Sequence, residues 1–148
     1  MEQIKENLFF YSAKFLLKLL ATEGNPAWPL SAVKIASVMK SVRAFFTGKD
    51  WYIWGAGCYG QSIKGVLDAI GIRIQGFIDS SPEKQGKEIG GLCIYKWEDV
   101  ADGARNVFIA MKNRDAAGQV QERVRASSPT ASVCSFDDLR AILSIFLQ

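Results

Sequence analysis

The hexapeptide Gly55-Ala56-Gly57-Cys58-Tyr59-Gly60 constrains the fold more than any other stretch of this chain. It follows directly on Trp51-Tyr52-Ile53-Trp54, a short aromatic run with the character of a strand. It opens a helix whose apolar face is Ile63, Val66, Leu67 and Ile70, with Gly71 placed to end it. Alone, G-x-G-x-x-G is a weak pattern. Between a strand and an amphipathic helix it acquires a mechanism. The first glycine permits a tight turn, the second lets backbone approach a phosphate, and the third lets the helix pack closely on the strand. The exposed amides and the helix dipole then favour an anion at the helix start. Asp79 ends the next strand, where a carboxylate can accept hydrogen bonds from ribose hydroxyls. No arginine follows it, so a nicotinamide dinucleotide bound here would be NAD rather than NADP. A glycine turn kept only as a packing device, with Asp79 capping a turn, stays open as the alternative.

Around this unit, strands and helices alternate. Ile72 to Ile78 reads as a second strand, closed by Asp79-Ser80-Ser81-Pro82, and a polar Gly-rich stretch leads to Leu92-Cys93-Ile94-Tyr95. Glu98 to Ala101 reads as one helical turn and Val107 to Met111 as a buried strand. A helix over about 115–125, a strand around 131–134 and a helix capped by Ser135 and bearing Leu139, Ile142, Leu143 and Phe146 complete the series. Such alternation implies parallel pairing through right-handed crossovers. The expected fold is α/β: a three-layer sandwich with a mainly parallel sheet of about five strands in the order 3-2-1-4-5.

Ahead of it, residues 1–48 read as a helical pair. One helix carries Ile4, Leu8, Tyr11, Phe15, Leu16, Leu19 and Leu20; the other, capped by Ser31, carries Ile35, Val38, Met39, Val42, Phe45 and Phe46. The division expected is a helical extension over 1–48 and an α/β domain over 49–148. The extension either covers a face of the sheet or forms an isologous homodimer contact.

In this strand order the loop after Met111 lies beside the glycine turn, at the point where the strand order reverses. Lys112 and Asn113, with Arg114, become candidates for facing whatever extends past the phosphates; a solvated loop is the other reading. The candidate binding set is Gly55, Ala56, Gly57, Cys58, Tyr59, Gly60, Asp79, Ser80, Lys112 and Asn113. Tyr59 either lines the pocket or packs beneath it.

Composition excludes whole classes of chemistry. The chain has no histidine, so it cannot by itself build a Ser-His-Asp triad, a Cys-His pair, a His-bound metal or an imidazole base. Cys58, Cys93 and Cys134 are scattered without C-x-x-C spacing, which argues against zinc or a disulfide framework and for buried reduced thiols. No metal is expected. A formal charge of +3 is too mild to imply nucleic acid, which leads to the expectation of no such partner. Charges interrupt every apolar run, so the expectation is a cytoplasmic chain without an integral membrane segment.

Ile53-Trp54-Gly55-Ala56-Gly57, the segment from Gly76-Phe77-Ile78-Asp79 through Pro82, Lys84, Gly86 and Lys87, and Ile89-Gly90-Gly91-Leu92 together resemble a group of small Rossmann-like domains. Relatives in this group are the N-terminal nucleotide-sugar-binding domain of bacterial sugar acyltransferases, domains accompanying sugar methyltransferases, and the NAD(H)-binding domain of redox-sensing repressors. The likeness covers 51–112 well and 113–148 loosely. It implies that Gly55, Gly57, Gly60 and Asp79 contact the ligand, while Pro82, Lys84 and Gly86 shape the loop after the second strand. The chain carries no hexapeptide repeat, no Tyr-x-x-x-Lys dyad and no evident winged helix, so it leans away from chemistry of its own. The resemblance implies a nucleotide- or nucleotide-sugar-binding module accessory to sugar-modifying enzymes of surface polysaccharides. An NAD-dependent oxidoreductase or NAD(H)-sensing domain and a non-binding assembly module remain the alternatives. NAD or a nucleotide sugar is the expected ligand, ahead of S-adenosylmethionine and CoA.

Overall fold

A computed structural model of the chain describes residues 32–147, with side-chain surroundings from 36 to 142. The first expected helix and the Ser31 cap lie outside the described residues. Trp51-Tyr52-Ile53-Trp54 forms the central strand, β1 (Trp51–Trp54), because both of its faces are apolar and both are covered. Trp51 and Ile53 enter one hydrophobic cluster, while Trp54 and the partly buried Tyr52 enter the other. On its two sides lie β2 (Ile74–Ile78) and β5 (Asn106–Ile109), both parallel to it. Beyond them β4 (Leu92–Tyr95) pairs in parallel with β2, and β6 (Ser132–Ser135) with β5. Among these parallel strands the order is the expected 3-2-1-4-5.

A sixth strand corrects the expected count. β3 (Glu88–Ile89) pairs antiparallel with β4 at the sheet edge, giving the order β3-β4-β2-β1-β5-β6. The turn between them is Gly90-Gly91, with φ of 58° and 80°. Two consecutive left-handed residues match a two-residue hairpin turn to the twist of its strands. The stretch read as a polar loop is therefore a hairpin. β2 also starts later than expected: Ile72 N–H donates to Leu67 O and Gly71 N–H to Asp68 O, so these amides close the preceding helix rather than join the sheet.

Helices sandwich the sheet. On one face lie α1 (Ala32–Phe46), α2 (Cys58–Ala69) and α5 (Phe136–Leu147), packing Val38, Met39, Val42, Phe46, Ile63, Leu67 and Leu139 against Ile53, Phe77 and Phe108. On the other lie α3 (Trp97–Val100) and α4 (Arg114–Ser127), packing Trp97, Val120 and Val124 against Trp54, Ile78 and Ile109. α1 is integral to the first face: the Trp51 indole N–H donates to Phe46 O at 3.1 Å, and the Phe46 ring lies 5.7 Å from that of Phe108. Among the described residues no helix is long and apolar enough to cross a membrane. Two of the three thiols depart from expectation. Cys58 and Cys93 are exposed; only Cys134 is buried, and that burial pushes its pKa strongly up.

Candidate functional site

The three glycines of the turn have three different reasons to be glycine. Gly55 has φ 116°, and a Cβ there would lie 3.0 Å from Ala110 O at the end of β5. At Gly60 a Cβ would fall 1.7 Å from Gly55 O, so only glycine lets α2 start against the turn. Gly57 is different. It caps α2 with extended backbone and contributes no capping side chain; its missing Cβ would meet only the Lys84 ammonium, 3.9 Å away. Gln61 N–H makes the first intrahelical bond, to Gly57 O, and the amides of Cys58, Tyr59 and Gly60 precede it. A cation thus stands over the open side of a helix start whose backbone donors have no side-chain cap.

Asp79 does more than end β2. Its Oδ2 accepts from Ala56 N–H and its Oδ1 from Ser81 N–H, both at 2.9 Å, and Lys84 Nζ lies 3.9 Å from Oδ2. The carboxylate ties the first loop to the second. The Ala56 amide is consequently committed inside the protein, while each carboxylate oxygen keeps a second lone pair. Burial raises the Asp79 pKa, but the two amide bonds and Lys84 outweigh it, leaving a net shift below the ordinary 3.8. A carboxyl depressed by the fold contributes stability that is fully present above its ordinary pKa and is lost as pH falls through the folded value. Asp79→Ala leaves two amides without acceptors and is expected to cost roughly 2 kcal/mol at pH 7. The gap to wild type should narrow below pH 4 in urea titrations; a gap independent of pH refutes the role given to the ionised form.

The other expected residues divide. Tyr59, 37% exposed, lies edge-on to Phe136 with ring centroids 6.3 Å apart, and Lys112 Nζ is 5.8 Å from the Tyr59 ring. Cys58, the first residue of α2, and Ser80, in the loop after β2, are exposed. Asn113 caps α4, its side-chain oxygen accepting from Ala116 N–H at 3.0 Å, so that oxygen serves the helix. Beside Lys112 a cavity of about 320 Å³ opens beyond the ends of β5 and β6, lined in part by Met111, Lys112, Arg114, Ser135, Asp137 and Arg140. Lys84 and the last three of these are what sequence reasoning missed or placed differently. Lys84 was expected only to shape its loop. Ser135 was expected only to cap the closing helix, Asp137 and Arg140 carry no motif, and the place of all three in the site depends on β6 lying next to β5.

A Rossmann-like α/β domain is what this sheet order, glycine turn and strand-end acid define. The chain belongs to the PglD N-terminal domain family, whose model matches residues 50–124, just over half of its length. No curated protein sequence matches it. Among solved structures it is similar to UDP-D-quinovosamine 4-dehydrogenase from Vibrio fischeri, with 19% identity, a TM-score of 0.46, and coverage of 62% of this chain and 82% of that one. It is also similar to the repressor RSP in complex with β-NADH, with 14% identity, a TM-score of 0.44, and coverage of 98% and 92%. RSP with β-NAD+ and operator DNA gives 13% identity, a TM-score of 0.45, and coverage of 98% and 90%. These likenesses concern the fold alone. The expectation of no nucleic-acid partner does not stand, since the last of these structures is a complex with operator DNA. Among the described residues no group of three or more His, Cys, Asp or Glu side chains converges as a metal site would require.

Proposed function

We propose that this chain binds a nucleoside diphosphate ester, a nucleotide sugar first and NAD second, as a recognition module serving sugar-modifying enzymes of surface polysaccharides. One observation carries the reading: the Lys84 ammonium stands 3.9 Å from the missing Cβ of Gly57, over a helix start with no side-chain cap. Backbone donors, the helix dipole and a facing cation are what a diphosphate requires. Asp79 at the end of β2, with lone pairs still available, supports a ribose on the same side.

Calorimetry with UDP-N-acetylglucosamine and with NADH tests this. Saturable binding of the UDP-sugar below about 1 mM is expected. Exposed Cys58, the first residue of α2, supplies an independent readout: bound nucleotide should slow its alkylation by iodoacetamide while Cys93 reacts as before. No heat with UDP-sugars, NAD, CoA or S-adenosylmethionine at millimolar concentration ends the proposal.

A further inference from the structure

The cavity beyond β5 and β6 is a separate compartment from the glycine turn, joined to it at one edge. Ala110, just past β5, abuts Gly55, and two residues later Lys112 Nζ lies against the Tyr59 ring. A ligand whose diphosphate sits on the α2 start, with its ribose toward Asp79, therefore extends its other end over Tyr59 into this space. At about 320 Å³ the cavity is at the small end for ligand sites, suited to one ring rather than half a dinucleotide.

Its charge is one-sided. Lys112, Arg114 and Arg140 line it against a single carboxylate, Asp137. That carboxylate holds both guanidinium groups: Arg114 Nε lies 3.3 Å from Oδ2, and Arg140 pairs with Oδ1. Shared with Arg140, that carboxylate offsets Arg114 only in part, and Lys112 adds a further positive charge to the lining. Both guanidiniums line the wall, Arg114 largely exposed, and present planar donors suited to a carboxylate. The positive ring of oxidised nicotinamide would be repelled here.

Resting on the nucleotide-binding reading above, we infer that this cavity selects a nucleotide sugar whose sugar ring carries a carboxylate, a uronic acid, with Arg114 as the specificity-determining residue. Titration calorimetry of the full chain with UDP-glucuronate and UDP-glucose tests it. The acidic sugar is expected to bind at least about tenfold more tightly, as one charge-assisted hydrogen-bonded pair would give. Arg114→Gln, at a largely exposed position, should reduce that ratio to within about twofold of unity. Asp137→Asn should move it the other way, raising it about threefold by removing the competing carboxylate. If both sugars bind equally to wild type, the inference falls and the nucleotide-binding function stands. If neither binds, the inference falls, and the nucleotide-binding function is then decided by the titrations with UDP-N-acetylglucosamine and NADH. A tenfold preference untouched by Arg114→Gln and Asp137→Asn places selection elsewhere and also overturns the assignment.

Discussion

Gly60→Ala is expected to cost at least about 3 kcal/mol and to lower the melting temperature by roughly 10 °C. The added Cβ would stand 1.7 Å from Gly55 O and 2.8 Å from Gly55 C, both backbone atoms of a turn that is itself pressed against β5. Neither side can yield cheaply. Gly55 has a positive φ and sits 3.0 Å, by its own missing Cβ, from Ala110 O, while α2 is anchored to the sheet by Ile63, Val66 and Leu67. The outcome is a displaced helix start or a lost turn, and thermal melts followed by circular dichroism will read it. Gly65→Ala in the same helix is the control. Nothing lies within 4 Å of its Cβ position, so alanine there should stabilise by about 0.5–1 kcal/mol. Opposite signs five residues apart would establish that the contact with Gly55, and not helix propensity, governs Gly60. A Gly60→Ala melt within about 2 °C of wild type would refute the geometry.

Gly57→Val should do the reverse: preserve the fold and weaken binding. Gly57 has φ −91° and ψ −158°, extended backbone that valine adopts readily. Its only neighbour in the Cβ direction is the tip of the flexible Lys84 side chain. The methyl groups would nonetheless occupy the space through which a phosphate reaches the α2 amides. Losing two charge-assisted hydrogen bonds predicts a roughly 100-fold weaker affinity for a UDP-sugar, with the melting temperature changed by no more than about 2 °C. Unchanged affinity would mean that the diphosphate does not approach over Gly57. Taken together, the two glycine variants separate what the turn does for the fold from what it does for a ligand.

Much of this was legible in one dimension. The aromatic run Trp51–Trp54, ending abruptly at Gly55, had the character of a strand, and the expected order 3-2-1-4-5 put it at the centre, where it lies. The glycine spacing located the start of α2, and Gly71 its end. The edge hairpin was missed because β3 has only two residues, too few to show periodicity; the Gly90-Gly91 pair was its one signal. Buried thiols were expected from the usual behaviour of cysteine, yet Cys58 begins a helix and Cys93 lies on β4 opposite the two-residue edge strand β3, positions that leave a side chain exposed.

Local order along the chain decided where backbone donors would gather, because turn geometry and helix initiation depend on neighbours only a few residues apart. It also decided that an acid would stand at the end of the second strand. Only the folded sheet decided that this acid would accept from the Ala56 amide, 23 residues away, and that Lys84 would lie above Gly57. The same holds for the cationic cavity. Lys112 and Arg114 follow β5 while Asp137 and Arg140 follow β6, and these meet because two parallel strands end side by side. Parallel neighbours are joined by a helix-length crossover, so the residues at their ends share a site without sharing any pattern in sequence.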